Sequence, residues 1–151
     1  MIKILSQRDK RWATIKLGES NLILGRYGCT TCCISMLSDY FGSFHDPADL
    51  AVKTLKYTAD GLILWQSVNN IEHMAFEKRL YKRNDAEILK SLKDPKGAVI
   101  LEVANYSHWV VAIGKTLLGN DYKIVDPWDA TICKILKKYH NITGSSHFIR
   151  K

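Results

Sequence analysis

A chain of 151 residues and 17.2 kDa, 46% hydrophobic and 25% charged, can close one core without a metal or disulfide staple, and a single domain spanning 1–151 is expected. Seven Tyr, four Trp and four Phe against three Pro exclude a disordered or low-complexity chain. The net charge of +7 would attract an acidic partner, yet the basic residues are scattered without a stripe of stacking aromatics, so nucleic acid is not an expected partner. The tightest basic group, Lys134, Lys137 and Lys138, reads as a solvated face.

In chain order, the opening MIKILSQRDKRW lacks the apolar stretch of a signal peptide, and no apolar run is long enough to insert in a bilayer. The expected localisation is therefore cytoplasmic as made, with later release as a lysin or virion component compatible with it. Gly28 closes a Gly/Tyr turn, and 29–41 places apolar or soft residues at 29, 32, 33, 36, 37, 40 and 41 before Gly42 stops the run. This pattern predicts a buried central helix. Asp46 and Pro47 open a second helix through 55, and 62–73 reads as a third. Asn84 caps a fourth over 85–93, which Pro95 and Gly97 end.

Beyond Gly97 the periodicity changes. The β-branched runs 98–104, 108–114, 121–126 and 131–136, separated by turn residues, predict an antiparallel sheet. Helices first and strands second give an α+β fold with the central helix packed on the sheet.

Three of the four cysteines, Cys29, Cys32 and Cys33, crowd five positions, and Cys133 stands apart. The Cys29/Cys32 spacing alone would suit half a zinc site or a redox dithiol, but no second ligand pair follows, and the preceding residues read as a turn rather than a strand. Neither a metal nor a cofactor is implied. At the start of a buried helix, Cys29 would sit among free N–H groups at the positive end of the dipole, which favours a thiolate nucleophile. His108 begins a strand that carries it toward the core, and Asp126 ends the next strand on the same side of the sheet, away from the turn at 117–120. A base and its orienting carboxylate are thereby predicted to meet.

The segments QRDKRW, GCTTCCISMLSDYFG, HWVVAIG and VDPW, in that order, resemble the papain-like cysteine peptidases related to the bacteriocin-processing, double-glycine leader peptidases. The resemblance implies a papain-like fold, with Cys29 as nucleophile, His108 as base and Asp126 as its orienting partner. It also implies an oxyanion hole made by Gln7 and the Cys29 backbone. In the leader peptidases the glutamine lies only a few residues before the cysteine, whereas here 22 positions separate Gln7 from Cys29. Trp109 and Trp128, next to the base and its partner, would wall the site, while Cys32, Cys33 and Cys133 read as packing residues. The implied partner is a peptide or peptidoglycan-type substrate. Two other classes stay open on sequence: a non-catalytic binding or virion-associated module that keeps the fold, and a thiol redox or metal protein built on Cys29 and Cys32.

Overall fold

Alternating side chains of one sheet divide the core in two. The computed structural model describes residues 2–151. Its sheet has six antiparallel strands in the order β1-β6-β2-β3-β4-β5. These are β1 (Met74–Leu80), β2 (Gly97–Val103), β3 (His108–Lys115), β4 (Tyr122–Asp126), β5 (Thr131–Lys134) and β6 (Gly144–Arg150). Ile100, Trp109, Val111, Val125 and Phe148 point to one face, where Cys32, Cys33, Met36 and Leu37 cover them. Val99, Leu101, Val110, Ala112 and Ile124 point to the other, where they meet Ile88 and Ile135. The period of two along each strand thus builds both cores. The fold is α+β and papain-like.

The helices are α1 (Leu24–Tyr27), α2 (Cys29–Tyr40), α3 (Pro47–Asp49), α4 (Asp85–Lys93) and α5 (Ile135–Lys138). Helix α2 is the expected central helix, with every residue from Thr31 to Ser38 buried. It stops where Gly42, at φ +90°, takes the left-handed conformation that relieves the last carbonyls. Asp46 and Asn84 cap as their positions predict, accepting from the backbone N–H of Asp49 and Glu87 at 2.8 and 3.1 Å.

Four expectations are corrected. The second helix is shorter than the run to 55, because α3 passes at once into a wide π turn over Leu50–Thr54. The third is a 3-10 segment over Trp65–Asn70 flanked by extended chain. The run 131–136 leaves the strand after Lys134 and turns into α5. Strands β1 and β6 were not anticipated, and since β1 precedes α4 the chain is not helices first and sheet second.

The physical reason is the same for both missed strands. Glu77, Lys78 and Arg79 make β1 read as solvated, but it is an edge strand whose Lys78 and Arg79 pair with Glu87 and Glu102. Gly144, Ser145, Ser146 and His147 make β6 read as a turn. The strand is buried because Ser91 and Ser145 bond the two nitrogens of His147 at 2.7 and 2.8 Å. Burial lowers the His147 pKa to about 4, with the Lys78 charge adding to the effect, so this imidazole is a neutral core group.

Candidate active site

The turn before α2 fixes where Cys29 stands. Gly28 is the cap residue, and a Cβ built there would lie 2.5 Å from the Leu24 carbonyl oxygen and 2.7 Å from the Leu24 Cδ2. Only glycine lets α1 and α2 meet this closely. Gly28→Ala is expected to cost about 1–3 kcal/mol through overpacking, seen as a lower denaturant midpoint. A wild-type midpoint would show that the turn relaxes freely. Cys29 then opens a 12-residue helix, half-buried, with the free N–H groups of the first turn around it.

His108 opens β3 after a β2–β3 turn in which Ala104, Asn105 and Tyr106 all take positive φ. Its Nε2 lies 2.7 Å from Asp126 Oδ1, and the Cys29 thiol is close enough to act on the same ring. The structure therefore bonds His108 to Asp126 and places Cys29 near enough to influence the same ring. Burial alone would lower the His108 pKa, but the bonds to Asp126 and Cys29 outweigh it and raise the value from 6.5 to about 9. The imidazole is accordingly charged at neutral pH.

Asp126, at the end of β4, is fully buried. Besides His108 it accepts the Trp128 N–H at 2.9 Å and the Tyr139 hydroxyl, and it pairs with the Lys138 ammonium at 2.6 Å. Burial pushes its pKa up, and these four partners more than reverse the effect, holding the carboxyl well below the usual range. The sign of the pH linkage follows. Stability from the raised His108 is complete below about 6.5 and is lost as pH rises through about 9. Stability from Asp126 is present above 3.8 and is lost as pH falls toward its depressed value.

Gln7 is buried near the same place in spite of its distance along the chain. Its backbone N–H donates to the Pro127 carbonyl at 2.6 Å and its Nε2 to the Gly25 carbonyl at 3.3 Å. It thus bridges the segment after Asp126 and the turn before Cys29. One amide N–H remains for another acceptor.

A cleft of about 370 Å³ runs from Cys29 along Thr30 and Thr31, and its walls include Tyr57, Leu62, Trp65 and Trp109. The ring of Trp65 meets that of Trp109 edge-on at 5.4 Å. Arg79, paired with Glu102 at 2.9 Å, lies over the other side of Trp109 at 4.7 Å. Trp109 is therefore a wall residue by position. Trp128 is 40% exposed and stands outside this cleft, stacked under Arg8 at 4.4 Å.

All four cysteines are free. Cys32 and Cys33 are buried, and desolvation raises both thiol pKa values. They are packing residues of α2. Among the described residues, no group of three or more His, Cys, Asp and Glu side chains gathers as a metal site would require. No helix among the described residues is long and apolar enough to cross a membrane.

Sequence reasoning missed Lys138 and Tyr139. Lys138 is not part of a solvated face, because its ammonium is bound between Asp126 and Asp129. Nothing in its neighbourhood along the chain signals that role, and only the path of α5 brings it to the carboxylate.

Residues 25–145 match the Peptidase C39 family, a segment that contains Cys29, His108 and Asp126 and leaves Gln7 outside. Among solved structures, the N-terminal peptidase C39 like domain of the toxin secretion ATP-binding protein from Vibrio parahaemolyticus is similar in fold. The TM-score is 0.52 at 18% identity, over 80% of this chain and 94% of that one. No curated protein matches the sequence.

Proposed function

The chain belongs to the Peptidase C39 family and is a cysteine peptidase, and on that premise we propose that Cys29 is its nucleophile, His108 its acid and base, and Asp126 the group that orients the imidazole. The observation that carries this reading is the 2.7 Å bond from His108 to a fully buried carboxylate, at the start of a strand whose imidazole also feels the Cys29 thiol. The substrate is a peptide. With the proton shared by the Cys29–His108 pair held on the imidazole, the Cys29 sulfur adds as a thiolate to the carbonyl carbon, and the carbonyl electron pair moves onto oxygen. As the C–N bond breaks, the imidazolium gives its proton to the leaving amine, and a thioester remains. The neutral imidazole then takes a proton from water, whose oxygen adds to the thioester and releases the acid and the Cys29 thiolate, restoring the starting pair.

The oxyanion is met by the Cys29 N–H and the free amide N–H of Gln7. Support for the Gln7 assignment is its anchorage to Gly25, in the helix just before Cys29, and to Pro127, the residue after Asp126. Loss of such a donor costs about 10²–10³ in rate. The aromatic cleft beside Cys29 suits an extended peptide, which favours a peptide-processing role. The net charge of +7 favours a second reading, attack on peptidoglycan in an anionic wall. Fragments released from a linear peptide support the first, and fragments released from purified walls support the second.

Alkylation of the native protein tests the nucleophile. Iodoacetamide is expected to modify Cys29 and spare Cys32 and Cys33, which are buried, and Cys133, whose thiol pKa is raised by burial. Equal labelling of all four by mass spectrometry would remove the assignment. On a cleaved peptide, kcat/KM is expected to fall on the alkaline side with a midpoint near pH 9, where His108 loses the proton the leaving amine needs. A profile flat to pH 10 would contradict the role given to the imidazolium.

A further inference from the structure

We propose that Lys138 is a positioning residue of this site: by holding the outer oxygen of Asp126, it limits how firmly that carboxylate binds the proton on His108. The inference rests on the triad reading above. Asp126 divides its two oxygens. Oδ1 takes the His108 ring at 2.7 Å and the Trp128 N–H at 2.9 Å, while Oδ2 takes the Tyr139 hydroxyl and the Lys138 ammonium, the latter at 2.6 Å.

The ammonium is not a roaming surface charge. It also donates to Asp129 Oδ1 at 3.2 Å, Asp129 Oδ2 at 3.1 Å and Thr131 Oγ1 at 3.2 Å, so it is held among four acceptor atoms. Its side chain is only 29% exposed. Helix α5 delivers it, and that helix is pinned by Ile135 in the core and by the buried Asp121, which accepts the Leu136 N–H at 3.1 Å. The geometry is built by packing.

Asp126 is thus a carboxylate between two cations. The ammonium draws on the same charge that stabilises the imidazolium, and the two cations repel each other across it. The other polar groups facing this assembly are the Cys29 thiol from α2, the Tyr139 hydroxyl after α5, Asp129 in the β4–β5 turn, and the Cys133 thiol on β5. Asp129 counters part of the ammonium charge, so it acts on His108 in the opposite sense to Lys138. In the reaction the imidazolium must surrender its proton to the leaving amine. A buried carboxylate with no second cation would hold that proton too tightly, and Lys138 loosens the hold.

The test is an NMR titration of the His108 imidazole in the full chain, a readout that does not depend on turnover. Lys138→Met is expected to raise the midpoint by about half a pH unit or more, Lys138→Arg to leave it near wild type, and Asp129→Asn to lower it. A Lys138→Met midpoint that is unchanged or lower overturns the proposal. Should that variant fail to fold, Asp129→Asn decides, since an unmoved or raised midpoint there also overturns it. In turnover, Lys138→Met is expected to lower kcat with KM nearly unchanged and to move the alkaline limb with the NMR midpoint. If the midpoints shift as expected while Cys29→Ala cleaves peptide as well as the wild type, the triad reading fails and Lys138 only tunes the imidazole. Unmoved midpoints with an inactive Cys29→Ala leave the triad reading and overturn the proposal alone.

Discussion

Replacing Cys29 by alanine is expected to lower kcat on any cleaved peptide by about 10⁴-fold or more, and His108→Ala by a comparable factor, because a nucleophile and its base act as one unit. The double variant is expected to lose little more than either single one. This non-additivity is the sharper part of the prediction, since two independent contributions would multiply. Single-turnover assays on the three variants measure it, and full multiplication of the losses would show that Cys29 and His108 do not share a step. Neither substitution removes a large core side chain. Cys29 is half-buried and the His108 side chain is 13% exposed, so circular dichroism should report a folded protein in each case.

Asp126→Ala is expected to lower turnover less than His108→Ala, by roughly a hundredfold smaller loss, because an orienting carboxylate assists a proton transfer that the imidazole performs. Its effect on stability should be larger than that of either other triad substitution. Asp126 is fully buried, and its removal strands the His108 ring, the Trp128 N–H, the Tyr139 hydroxyl and the Lys138 ammonium together. Breaking a buried pair from one side costs about 3–5 kcal/mol. Urea unfolding near neutral pH measures it. Equal losses of turnover for Asp126→Ala and His108→Ala would mean the two roles are misassigned.

Much of this site is legible in the sequence because its parts lie next to strong local signals. Gly28 and the helical spacing after it mark where α2 begins, so the place of Cys29 follows from the periodicity alone. His108 and Asp126 meet because β3 and β4 are antiparallel neighbours, with Val111 opposite Val125. A hairpin read from its β-branched runs and its turn therefore brings the two residues together. The fold was harder to read where burial depends on partners far along the chain. Nothing within 144–150 reveals that His147 will be satisfied by Ser91, a residue on α4, and so a stretch buried from Gly144 to Phe148 looks like a turn. The ammonium of Lys138 is hidden for a similar reason, since in sequence it is one lysine of a basic group and in space it is the counter-ion of a carboxylate 12 positions earlier.

The strand order also constrains the history of each molecule. Strand β6 lies between β1 and β2, and it holds both by antiparallel pairing, Met74 to Leu80 on one side with a bulge between Phe76 and Lys78, and Gly97 to Glu102 on the other. During synthesis β1 and β2 emerge first and face a gap that only residues 144–150 can fill. At about 5–20 residues added per second, the chain waits several seconds between making β2 and making its partner. Through that interval the edges of β1 and β2 that β6 will fill have no neighbour, and Phe148, which completes the core under Trp65 and Phe76, is still missing. Closing contacts so distant in sequence is slow in its own right. The hydrolase is therefore assembled all at once and late. A nascent chain carrying Cys29, His108 and Asp126, but not yet β6, holds the reacting groups without the sheet that aligns them.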